Sequence, residues 1–207
     1  QLVTSIKILG FFSSIPLAII FVYGDIFYSL WVPEQNAQLL HFLSIIICLG
    51  FVLALPLEGL WNIFATVNKV KQSSIFLLSN SLLNIIIVLI LLPIFEDPII
   101  KLFIIVGIEA LVSIIRALTF LPLFGAKCLN IKLTSFYPAI IKNILSIIIV
   151  TFLSIIIKKY LVIEDWFMLI LASFFTLIIA CIINLTIVLD RRDRSNILMM
   201  IKLKTNR

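Results

Sequence analysis

The chain has 207 residues, of which 63% are hydrophobic and 13% charged, with a mean hydropathy of +1.27 and a formal charge of +6. A water-soluble domain is excluded, because its outer shell has to face water. A nucleic-acid binder is excluded as well, since the basic residues fall between apolar blocks and not on one soluble face.

Ile and Leu dominate, with only six Gly and seven Pro, which favours long helices over the turn-punctuated strands of a membrane barrel. The fold class is therefore an all-α membrane protein, a bundle of about six helices. A span needs roughly 20 apolar residues. In chain order the blocks run from about Ile8 to Tyr23, Leu39 to Leu60, Ile75 to Phe95, Ile99 to Phe120, Tyr137 to Ile157 and Trp166 to Leu189. The first is the shortest, and the preceding turn could extend it. The stretch GDIFYSLWVPEQNAQ joins the first two, with Tyr28 and Trp31 suited to a membrane interface. NKVKQSS, FEDPIIK and KKYLVIEDW are the short connectors, and LPLFGAKCLNIKLTSFYP is a longer one expected to lie in the interface. Residues 1–190 form the bundle, and 191–207 form a basic, mildly amphipathic tail.

Charge fixes the expected orientation. With the N-terminus inside, only Lys101, Lys158 and Lys159 of the 16 basic residues fall outside. The inner side collects Lys7, Lys69, Lys71, Arg116, Lys127, Lys132, Lys142 and the tail. Such a bias needs all six crossings to alternate, and it places both termini in the cytoplasm. The outer connectors hold Asp25, Glu34, Glu96, Asp97, Glu164 and Asp165. The opening QLVTSIKILG carries no Met and no cleavable leader, so the chain reads as a piece of a longer protein.

Enzyme motifs are missing. The single histidine, His41, sits at the start of the second block, and no zinc, nucleotide or nucleophile-elbow signature occurs. Cys48, Cys128 and Cys181 are too scattered for a disulfide framework or a metal site. The expectation is a non-enzyme with no cofactor and no metal.

The run PLEGLWNIFATVNKVKQSSIFLLSNSLLNIIIVLIL joins a Pro-bearing helix through a basic turn to a helix carrying Asn and small residues. This resembles the second half of bacterial polysaccharide (O-antigen) flippases of the Wzx type, in the multidrug/oligosaccharidyl-lipid/polysaccharide exporter superfamily. GDIFYSLWVPEQNAQ is similar to the extracytoplasmic turn after the first helix of that half. RALTFLPLFGAKCLNIKLTSFYP is similar to its long cytoplasmic connection. The resemblance covers nearly the whole chain. It implies a two-lobe transporter in the bacterial inner membrane, with this chain as the C-terminal lobe and the N-terminal lobe of the full-length chain as its partner. Its cargo would be an undecaprenyl-diphosphate-linked oligosaccharide, moved by alternating access. Drug antiport, lipid II flipping and an integral membrane glycan transferase or polymerase are the alternatives. Short outer connectors weigh against the last of these.

Five residues are candidates for polar work. Glu109 lies near the middle of the fourth block, where a carboxylate costs about 2.5–3.5 kcal/mol on insertion scales. It should face the bundle or a wet cavity, as a proton or cation site, a contact for sugar hydroxyls, or a plain interhelical hydrogen bond. Arg116, seven residues on, shares that face about 10 Å nearer the inner surface. It suits a diphosphate or serves as an ordinary positive-inside anchor. Glu58 follows Pro56, where a kink is expected; it is a hinge candidate or an interfacial Glu near Lys69 and Lys71. Asn80 and Asn84 share one face of the third block, for interhelical hydrogen bonds or sugar binding. Asn184 carries the same ambiguity.

Overall fold

A computed structural model describes residues 2–190 and 193–195. The described residues are helical and joined by short turns: α1 (Leu2–Trp31), α2 (Ala37–Leu57), α3 (Trp61–Thr66), α4 (Val70–Leu91), α5 (Pro98–Leu118), α6 (Phe120–Cys128), α7 (Tyr137–Lys158) and α8 (Trp166–Ile187). Tight single turns, Glu58–Leu60 and Leu92–Ile94, follow α2 and α4. Six helical stretches are long and apolar enough to cross a membrane: Leu2–Trp31, Ala37–Thr66, Val70–Ile94, Pro98–Cys128, Tyr137–Lys158 and Trp166–Ile187. The protein is an all-α membrane bundle. The end where α1 begins and α8 finishes is called the terminal end below.

Local sequence explains the boundaries. The helices that start at the opposite end, α2, α5 and α8, are each capped by a short polar side chain. Asn36 accepts from Leu39 N–H at 3.0 Å, Asp97 from Ile99 N–H at 2.8 Å and Asp165 from Met168 N–H at 2.7 Å. Each cap satisfies an amide that the first turn leaves free. At the terminal end, Asn68 and Asn130 take the left-handed backbone conformation, with φ of 55° and 53°. They close α3 and α6 through Lys69 N–H to Phe64 C=O and Ile131 N–H to Ala126 C=O. Pro56 has no N–H to continue α2, which gives way to the Glu58–Leu60 turn.

Two boundaries differ from expectation. The first apolar block is the shortest, and the helix extends past it at both ends, so that α1 is the longest single helix among the described residues, at 30 residues. Its charges, Lys7 and Asp25, lie inside the helix because each meets an opposite charge from elsewhere in the chain. The long connector after α5 contains a helix of its own, α6. It buries Leu121, Pro122, Gly125 and Ala126 against Leu57, Leu60, Phe64 and Phe136. The tail expected over 191–207 lies outside the described residues except for 193–195.

Helix neighbours follow a simple order. α1 touches α2, α7 and α8; α2 bridges to α5; and α4 lies at the edge, chiefly against α5. α1 buries residues along its whole length, from Ile6 to Gly24, whereas α4 buries only Ser73. Leu78, Leu82, Ile85 and Leu89 of α4 are open to the surroundings. Lipid tails are as apolar as Leu, so close fit and polar ties hold such helices together, more than water exclusion does.

Candidate functional site

The α4–α5 edge gathers three of the five sequence candidates. Asn84 Nδ2 donates to Glu109 Oε2, joining α4 to α5 halfway along both. Glu109 is exposed on the bundle surface and Asn84 is half-buried. Asn80, one turn nearer the terminal end, is half-buried and makes no side-chain hydrogen bond among the described residues. The shared face expected for the two Asn residues therefore yields one bond. Only Asn84 sits level with the carboxylate.

Arg116 closes the last turn of α5, where the helix dipole favours a cation. It forms no ion pair among the described residues, and its buried Nε has no partner. Glu58 opens the turn after α2 and is exposed. It forms no ion pair among the described residues. Nothing brings Glu58 to Glu109, so the five candidates do not form one cluster. Near the terminal end, the stacked rings of Phe76 and Phe120, 3.5 Å between centroids, tie α4 to α6.

A second polar region was marked in the sequence only by Asn184. Between α1, α7 and α8, fully buried Asn184 donates to Ser14 Oγ at 2.6 Å and accepts from Ser146 Oγ at 2.5 Å. Asn143 reaches Ile6 C=O at 3.3 Å, and Thr176 Oγ1 donates to Tyr23 Oη at 3.3 Å. Lys7, buried in α1, binds Asp190 at 2.6 Å and Asp193 at 2.7 Å, while Lys142 binds Asp190 at 2.6 Å. At the other end Lys158 bridges Asp25 at 2.6 Å and donates to Val22 C=O at 2.7 Å. Hydrogen bonds from Lys142 and Lys7 hold the Asp190 carboxyl down at about 2. Burial pushes Asp193 up, but hydrogen bonds from Lys7 and Thr4 outweigh it and leave the carboxyl below its ordinary value. The readable signal was the face Asn143, Ser146, Val150, Ser154 on α7, at spacings of three and four.

Two glycines of α1 make room for polar neighbours. A Cβ on Gly10 would lie 2.2 Å from the Asn143 side chain. One on Gly24 would lie 2.4 Å from His41, whose Nε2 donates to Ile20 C=O at 3.0 Å. His41 thus ties α2 to α1. Below it, a groove of about 420 Å³ opens between α1, α2 and α8, walled by Pro16, Ile20, Tyr28, Ser44, Cys48 and Leu169. It is mostly apolar and contains none of the five candidates. No His, Cys, Asp or Glu cluster able to hold a metal ion occurs among the described residues. No protein family, curated protein or solved structure matches the chain.

Proposed function

We propose that this bundle is one lobe of a bacterial inner-membrane transporter that flips a lipid-linked oligosaccharide by alternating access, with both ends of the segment in the cytoplasm. The Glu109–Asn84 pair carries the reading. It sits at mid-span on the outside of the bundle, and a carboxylate facing lipid there costs about 2.5–3.5 kcal/mol or more. A second lobe across a wet cavity removes that cost, and binding sites at the midplane between two bundles are a known transporter plan.

The chemistry of the face suits a glycan diphosphate. Glu109 accepts hydrogen bonds from sugar hydroxyls, and the free amide of Asn80 both donates and accepts. Arg116, about 10 Å nearer the terminal end, is half-buried and unpaired among the described residues, and its guanidinium can turn outward to meet a phosphate. The polyprenyl tail stays in lipid at the gap between lobes. Return of the empty transporter is coupled to a proton or cation carried by Glu109. No covalent bond is made or broken.

The test is complementation. In a strain lacking the native protein, Glu109→Gln and Arg116→Ala abolish surface polysaccharide while reaching the membrane at normal abundance. Full polysaccharide from both variants overturns the reading. One observation favours a second use of the same fold, a drug or organic-cation antiporter: Tyr23, Phe27 and Tyr28 wall the groove between α1, α2 and α8. Cationic-dye efflux that is lost in Tyr28→Ala and untouched by Glu109→Gln would establish it.

A further inference from the structure

The terminal end of the bundle carries more positive charge than the chain itself answers. Asp190 and Asp193 are taken up by Lys7 and Lys142. Lys69, Lys71, Arg116, Lys127 and Lys132 form no ion pair among the described residues. Glu58 is the other carboxylate at that end, and it pairs with none of them.

Lys127 is one wall of a groove of about 330 Å³ between α4 and α6; the others are Phe76, Thr119, Phe120, Leu123 and Phe124. Phe120, Leu123, Phe124 and Lys127 recur at three and four residues, so they share one face of α6. The opposite face, Leu121, Pro122, Gly125 and Ala126, is buried in the bundle. α6 therefore has two apolar faces. The chain covers one and leaves the other, which ends in Lys127, partly open.

Helix length sets the depth of this groove. The 21 residues of α5 rise about 30 Å from the opposite end, which is the thickness of the hydrocarbon core. Thr119 and α6 thus fall where acyl tails give way to headgroups. α4 starts at the same level, with Lys69 and Lys71 at its head and Phe76 about 9 Å deeper. A lysine rooted at such a boundary lays its stem on apolar surface and holds its ammonium among the headgroups.

We infer that this groove binds an anionic phospholipid of the leaflet at the terminal end. One acyl chain lies along Phe76, Phe120 and Phe124, and Lys127 meets the phosphate. Lys69 and Lys71 add to the attraction. Basic pockets between spans recognise acidic headgroups in this way. A free phosphate would leave the rings bare, and a zwitterionic lipid would bring a cation of its own to a face already rich in them. The groove lies about 12 Å along α4 from Asn84, so its lipid does not depend on the cargo proposed for the Glu109–Asn84 pair.

Trp61 reports on the groove, because its ring centre lies 6.3 Å from that of Phe120. The full-length protein, with Trp61 left as its only tryptophan, is reconstituted in phosphatidylcholine vesicles that hold no polyprenyl lipid. Bromine on an acyl chain quenches a tryptophan that it touches. Brominated phosphatidylglycerol, mixed in as the minor lipid, quenches Trp61 as though enriched about fivefold over brominated phosphatidylcholine. Lys127→Gln removes most of that preference; Lys127 is exposed and unpaired, so the fold is not at stake. A protein that keeps Trp166 alone, beside Glu164 and Asp165 at the opposite end, shows no preference. Added glycerol 3-phosphate leaves the quenching unchanged. Equal quenching of Trp61 by the two lipids overturns the proposal, as does full preference in Lys127→Gln. An equal preference at Trp166, or relief of quenching by glycerol 3-phosphate, overturns it too. Each of these failures leaves the transporter reading standing, because that is read from surface polysaccharide.

Discussion

Along α1, α7 and α8, Asn184 is fully buried and exchanges hydrogen bonds with Ser14 and Ser146. Along α4 and α5, Glu109 is exposed and meets one partner, Asn84. Both sets of groups sit deep in spans where water is scarce. The first set is answered by the chain itself, so it fixes helix positions. The second is answered by one bond and is otherwise open to the surroundings. Polarity inside a membrane segment is therefore weak evidence of function until burial and partners are known.

The sharpest break in this contrast is expected at Lys7. Lys7→Met strands Asp193 inside the protein and lowers stability by about 3–5 kcal/mol, read as a fall in melting temperature in detergent. Gly10→Ala comes next, at about 1–3 kcal/mol, because the new methyl collides with Asn143. Adding Asn143→Ser to that variant recovers most of the loss, which ties the cost to that one contact. Glu109→Gln stands at the other pole. Gln keeps the shape and can still bond Asn84, so melting moves by less than about 0.5 kcal/mol, while the proposed function predicts loss of surface polysaccharide. Equal melting losses at Lys7 and Glu109 would erase the distinction between the two regions.

The smallest effect is that of pH on the terminal end. Asp190 has a folded-state value of about 2 against an ordinary 3.8, so its stabilisation is present above 3.8 and lost as pH falls towards 2. Its side chain is 53% exposed, which keeps the effect small. Asp190→Asn should flatten the melting curve over that interval and leave it unchanged near neutrality.

The spans were legible because apolar runs of the right length have few alternatives, and α7 and α8 begin where the residues placed them. The break after Pro56 was legible too, since proline lacks the donor. Lys7 was read as a connector charge, and it is buried in a helix. Its carboxylate partner Asp190 lies 183 positions away, a distance no local pattern reports. Glu109 and Asn84 were both singled out, though their contact was not, because the angle between α4 and α5 is a tertiary property. Asn143, Ser146 and Ser154 were passed over: small polar residues in a long Ile-rich run barely alter its hydropathy.

The ion pair between Asp25 and Lys158 has a consequence for how the protein is made. The two residues are 133 positions apart, so the first helix reaches the translocon long before its counter-charge is synthesised. At ribosomal rates of about 5–20 residues per second, that interval is on the order of ten seconds. During it Lys7, Ser14 and Asp25 lack their polar partners Asp190, Asn184 and Lys158. A chaperoning surface, or delayed release of the first helix into lipid, has to shelter them until the last two helices arrive.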